Sequence, residues 1–176
     1  MNNAAAKARL PLRGLHWLMA LAIVGAWALI ELNEHFVGHF DLQHRLTHAH
    51  MLVGLAVLVL VPLRLVLHWL FPLPPIVPAP PRWQSRLATL SQAALYGLMC
   101  ATPVLGLLDA QSSGRRIEVC GMVLPALIGR DIPLSYAIDA VHENLALALL
   151  YLVAAHAAAA IAHHLMRRDN TLRRML

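Results

Sequence analysis

His142 and His156 stand fourteen residues apart in one apolar stretch. In a helix that spacing turns the chain roughly 320° beyond three whole turns and raises it by about 21 Å. Both imidazoles therefore face nearly the same side, at opposite depths of a membrane. Two more histidines open other apolar stretches, His16 the first and His50 the second. A neutral imidazole binds transition metals through a ring nitrogen. Two imidazoles on opposite sides of one haem iron make it six-coordinate, which suits electron transfer and leaves no position for oxygen. The chemistry expected of these four residues is axial ligation of two haems, one near each face of a bilayer. A lone histidine in a membrane helix is more often a packing or hydrogen-bonding residue. Matched depths on three helices set these four apart, because each imidazole in lipid needs a reason to be there.

The elements that must position them follow from composition. The chain of 176 residues is 59% hydrophobic and only 13% charged, too apolar for an ordinary soluble domain. At about 20 residues per crossing, the length allows four or five spans. Apolar runs lie at about 12–32, 50–71, 87–108 and 138–166. The expected fold is all-α, a transmembrane four-helix bundle forming one domain over 1–176. Between the second and third runs, residues 72–81 are proline-rich, cannot be helical and should lie extended. Pro103 should kink the third helix. A mixed loop of about 28 residues, rich in Gly and Pro, precedes the fourth. The first run also has signal-peptide features, with Lys7, Arg9 and Arg13 ahead of it and Ala26-Trp27-Ala28 as a cleavage site. Its full membrane length favours a retained helix, and cleavage would discard His16.

Charge sets the expected orientation. With both termini cytoplasmic, the inner side holds Lys7, Arg9, Arg13, Arg64, Arg82, Arg86, Arg167, Arg168, Arg173 and Arg174, with Asp169 as its one acid. The outer side holds Arg45, Arg115, Arg116 and Arg130 with all the other acids. This is the positive-inside pattern, and Trp17, Trp69 and Trp83 fall near the inner interface. The net charge of +5 is thus a topology signal dispersed around spans, not a nucleic-acid surface. His16 and His156 then belong to the inner half, and His50 and His142 to the outer half. The expected pairs are His16 with His156 and His50 with His142.

The remaining residues carry weaker signals. His68 shares a helix face with His50 and rivals the inner ligands, but it lies beside Trp69 and Pro72 at the interface. His163 and His164 end the fourth run among arginines, where an interfacial role is the default. His35, His39, His44 and His48 cluster in the outer loop as solvated residues, with metal binding or proton supply to a quinone as rival roles. Gly54, one turn after His50, leaves room for a macrocycle or for helix packing, and Gly25 and Gly97 lie mid-membrane. Arg64 lies inside the end of the second run and needs a partner, either a haem propionate or the inner surface by snorkelling. Cys100 and Cys120 have no metal-ligand spacing, and without C-x-x-C-H a haem would not be covalently attached.

Leu15-His16-Trp17, His50-x-x-x-Gly54, Arg64 leading to Pro72-x-Pro-Pro75, Gly106 with Ser113-Gly114-Arg115, and His142-Glu143 form a series over nearly the whole chain. It ends in His156-Ala-Ala-Ala-Ala-Ile-Ala-His163-His164 and Arg168-Asp-Asn-Thr-Leu-Arg-Arg-Met175, the most specific piece. This series resembles the prokaryotic cytochrome b561 family of four-helix membrane proteins with two haems b. The resemblance implies His16, His50, His142 and His156 as axial ligands and an inner-membrane location. It implies electron transfer between the quinone pool, ubiquinone above all, and a periplasmic donor or acceptor. Some members are similar to superoxide oxidases; others serve as cytochrome subunits for hydrogenases or other dehydrogenases. Arg45, Arg115 and Arg116 are candidates to steer superoxide, against a net acidic outer side. The chain departs from the pattern in its histidine-rich stretch from His35 to His48, and at Cys120, where an aromatic residue is expected. A metal-ion transporter is the remote alternative: it needs carboxylates or thiolates mid-membrane, and Asp139 and Glu143 lie only at the mouth of the fourth run.

Overall fold

The computed structural model describes residues 10–175, so Lys7 and Arg9 lie outside the described residues. Four helices form: α1 (Leu10–His35), α2 (Phe40–Leu70), α3 (Arg82–Ser112) and α4 (Ile132–Ala162). All four are long and apolar enough to cross a membrane. They overrun the apolar runs because their polar ends continue as helix beyond lipid; α2 begins at Phe40, ten residues before His50. Large apolar side chains such as Leu21, Val59 and Tyr151 point outward, as lipid-facing residues must.

The helices pack as two antiparallel hairpins, α1 with α2 and α3 with α4; α2 meets α3 less extensively and α1 meets α4 sparsely. Gly38, at φ +92°, reverses the chain between α1 and α2 in a conformation that L side chains rarely adopt. The Asn33 amide closes this turn by donating to the Gln43 carbonyl (2.6 Å) and the Thr47 hydroxyl (3.0 Å). Pro72 follows α2, and residues 72–81 form an irregular connector. Pro62 and Pro103 lie inside α2 and α3, each removing one backbone donor where side chains pack around the helix. The Asp131 carboxylate caps α4 by accepting the Leu134 N–H at 3.0 Å. A core of Leu15, Met19, Val57, Val61, Leu95, Met99 and Leu149 joins the hairpins in the half of the bundle near the termini.

The α3–α4 loop is more ordered than its composition implies. It holds a hairpin of β1 (Glu118–Val119) and β2 (Met122–Val123), turned through Cys120 and Gly121, both at positive φ. Asp109, 7% exposed, anchors this loop: its carboxylate accepts Ser135 Oγ–H at 2.7 Å and pairs with Arg115. The Gln111 side chain adds bonds to Pro125 and Leu127. Asp109→Ala strands the buried Ser135 hydroxyl, while the half-exposed Arg115 regains water. It should therefore lower stability by about 1–2 kcal/mol, seen as a lower melting temperature in detergent.

Candidate functional site

The terminal end of the bundle is where α1 begins and α4 finishes, and the loop end is the opposite one. Near the loop end, His50 on α2 faces His142 on α4, with ring centres 6.1 Å apart and planes at 87°. Toward the terminal end, His16 on α1 faces His156 on α4, at 6.4 Å and 73°. Both pairs bridge from the first hairpin to the second.

The loop-end rings are locked by backbone. His50 Nδ1 lies 2.8 Å from the Ala26 carbonyl, and His142 Nδ1 lies 2.9 Å from the Thr102 carbonyl. A carbonyl only accepts, so each Nδ1 carries the proton and each Nε2 keeps its lone pair. That is the tautomer a metal-binding imidazole needs, held by the outer bond that typically orients such ligands. The Thr102 carbonyl is reachable because Gly106 follows it by one helical turn. A Cβ on Gly106 would stand 2.9 Å from His142 Cε1, inside contact distance. Ala26, where His50 docks, is also small.

The terminal-end pair has a cationic neighbour. Arg64 of α2 reaches α1 at the Leu12 carbonyl, one helical turn ahead of His16. Its guanidinium donates to the Tyr96 hydroxyl (3.2 Å) and the Leu12 carbonyl (3.3 Å), both neutral groups. These contacts hold the head inside the bundle rather than at the surface. Among the described residues no carboxylate pairs with it, and an intramembrane guanidinium so placed is suited to an anionic ligand. The Trp17 ring stands edge-on to His16, with ring centres 5.6 Å apart.

Other singled-out residues are placed elsewhere. His68 is exposed on the outside of α2, beside Trp69, and faces neither pair. His35 and His39 stand against the Phe36 ring, and His48 Nε2 donates to the Glu118 carbonyl at 3.1 Å. Among the described residues, no three His, Cys, Asp or Glu side chains gather as a metal site. His163 Nδ1–H donates to the buried Asp169 carboxylate at 2.8 Å. Burial opposes ionisation of Asp169, but hydrogen bonds from Thr171 and His163 outweigh it and hold the carboxyl below its ordinary range. Arg115 pairs with Asp109, so only part of its charge is free to steer an anion. Gly54 faces Pro103, at 3.8 Å from a Cβ built on it, while Gly25 and Gly97 face open space. Cys100 and Cys120 are both free thiols. Sequence reasoning missed Asp109 and Ser135. The one available signal was an acid at the end of an apolar run, six residues ahead of an arginine.

A haem fits these residues. A metal–imidazole bond is about 2 Å long, so two rings on opposite sides of one iron have centres about 6 Å apart. Both observed separations match, and at the loop end the Nδ1–carbonyl bonds leave Nε2 as the nitrogen available to a metal.

Membrane-length helices whose imidazoles face one another in pairs define the architecture of a b-type membrane cytochrome. The family model described as prokaryotic cytochrome b561 matches residues 7–176. A probable superoxide oxidase CybB of Yersinia pestis is 32% identical over 93% of this chain and 92% of its own length. Cytochrome b561 homolog 1 of Escherichia coli K12 is 33% identical over 92% of each chain. Homolog 2 of the same strain is 28% identical, over 92% of this chain and 86% of its own. The chain belongs to the prokaryotic cytochrome b561 family: a haem b-binding electron-transfer protein, multi-pass in the bacterial inner membrane.

Proposed function

We propose that this chain, acting as one membrane domain with both termini cytoplasmic, carries two haems b and passes electrons between the quinone pool and a periplasmic donor or acceptor. The observation that supports this most directly is the facing of four histidines as two pairs, at 6.1 Å and 6.4 Å. His50 and His142 would hold the outer haem, and His16 and His156 the inner one. Bound between two imidazoles, haem iron supplies a one-electron couple with no open coordination position. The chain's residues do the rest. Ala26 and Thr102 orient the outer rings through their carbonyls. Arg64 would pair with a propionate of the inner haem, and its positive charge would favour the reduced state. The pairs are separated by about 21 Å along α4, so together they reach most of the way across a bilayer.

The test is a reduced-minus-oxidised spectrum of the purified protein with a pyridine haemochrome ratio. Two low-spin b haems per chain are expected. A ratio near one, with haem in ample supply during expression, would reject the two-site reading.

For the periplasmic partner, the relative named as a probable superoxide oxidase supports superoxide as donor, and ubiquinone is the acceptor that the family resemblance implies. Arg45, Arg115 and Arg116 would supply the steering charge, so ubiquinone reduction by a superoxide source should slow as salt rises. No ubiquinone reduction would favour the alternative, a cytochrome subunit anchoring a separate dehydrogenase or hydrogenase.

Arg64→Met is expected to lower the inner haem's reduction potential, because the lost positive charge had favoured the reduced iron. In a two-step redox titration, one step should move to lower potential and the other should stay. Movement of neither step would remove Arg64 from the inner site.

A further inference from the structure

The last described residues form a strap across the terminal end. Arg168, at φ +54°, turns the chain back from the single π turn at His163–Arg167 that ends α4. Asp169, 4% exposed, accepts from His163 Nδ1–H (2.8 Å) and the Thr171 N–H (2.9 Å) and pins the turn. Asn170 then bonds the connector three times. Its N–H donates to the Val77 carbonyl (3.2 Å), its Oδ1 accepts the Val77 N–H (2.9 Å), and its Nδ2 donates to the Pro75 carbonyl (3.3 Å). Finally, α1 donates to the strap. Arg13 Nε bonds the Arg174 carbonyl at 3.1 Å, and Trp17 Nε1 bonds the Met175 carbonyl at 2.9 Å. Trp17 is the residue whose ring stands edge-on to His16.

We propose that residues 168–175 position the His16–His156 pair, acting through Trp17. The two histidines lie on α1 and α4, which pack on each other only sparsely. The strap starts from α4, is fastened to the connector by Asn170, and holds the Trp17 indole of α1. It thereby ties together the two helices whose separation sets the ring spacing. The loop-end pair needs no such device, because carbonyls of α1 and α3 hold its rings directly. The two sites are thus positioned by different parts of the chain and should respond separately to mutation. This inference rests on the reading of His16 and His156 as haem ligands.

The experiment uses the full chain in lipid nanodiscs, with three variants beside wild type. Trp17→Phe keeps a ring against His16 but removes the N–H donor. Asn170→Ala cuts the two side-chain bonds to the connector. Asn170→Asp keeps the acceptor for the Val77 N–H. Haem content, a two-step redox titration and low-spin EPR spectra are read for each. In Trp17→Phe and Asn170→Ala, affinity for the inner haem should fall about 10-fold, as for other residues that orient a ligand from behind. Its potential and EPR signal should shift while those of the outer haem stay fixed. Asn170→Asp should restore most of the wild-type signal. Unchanged potentials and spectra in both weakened variants would overturn the proposal, and so would equal loss of both haems, which marks general destabilisation. His156→Ala run in parallel separates the two readings. If it retains both haems, the ligand assignment fails and takes the proposal with it. If it loses one haem while the strap variants behave as wild type, the proposal alone fails.

Discussion

His142→Ala is expected to leave one haem per chain, with the spectrum and potential of the inner site. His156→Ala is expected to do the reverse. Removing one of two imidazoles halves the ligand set of a non-covalently held haem, and the remaining ring cannot keep it through purification. The effect should be confined to one site, because the two ligands stand about 21 Å apart on a continuous helix and share no partner. At the loop end the loss also strands the Thr102 carbonyl bond that had oriented the ring. His68→Ala is the control. That side chain is exposed away from both pairs, so both haems should remain. Pyridine haemochrome ratios with redox titrations decide the matter. A histidine variant that keeps both haems would overturn the ligand assignment for its pair, and loss of a haem from His68→Ala would put His68 in place of an inner ligand.

Gly106→Ala should damage the outer site nearly as much, although Gly106 carries no chemistry of its own. The added methyl would stand 2.9 Å from Cε1 and 3.2 Å from Nδ1 of His142. Backbone flanks the new methyl within α3, so it is the imidazole that must move, and its bond to Thr102 fails with the movement. Affinity for the outer haem should drop about 10- to 100-fold, the usual range for losing the group that orients a ligand. Haem that remains should show a weakened low-spin signal, while the inner haem is unaffected. Gly97→Ala makes the comparison sharp. It is the same substitution in the same helix, but its new Cβ meets nothing within 4 Å. Gly97→Ala should retain both haems, and equal behaviour of the two variants would show that the contact with His142 is unimportant.

Much of this was open to inspection in the chain itself. The four helices follow from apolar run length, and the depth of each histidine follows from its place in a run and the helical rise. The need for a partner at Arg64 follows from the cost of a lone charge among apolar residues. These are local properties, settled by neighbours within one helix. Helix ends are less legible, because a mixed stretch such as residues 40–49 continues a helix outside lipid without extending the apolar run. The β1–β2 hairpin escaped notice because two-residue strands carry almost no periodicity.

What the sequence determined by itself was a membrane bundle with imidazoles at two depths. Hydropathy and the 3.6-residue period act over a few residues, and the lipid rewards them directly. Depth along the runs already paired the imidazoles; tertiary structure decided that backbone carbonyls of Ala26 and Thr102 set the loop-end tautomers, and that Gly106 makes way for His142. It also decided that the tail returns to Trp17. Each of these depends on residues far apart in sequence meeting at van der Waals distance. Carbonyl direction and the space left by a missing side chain exist only once the helices have packed.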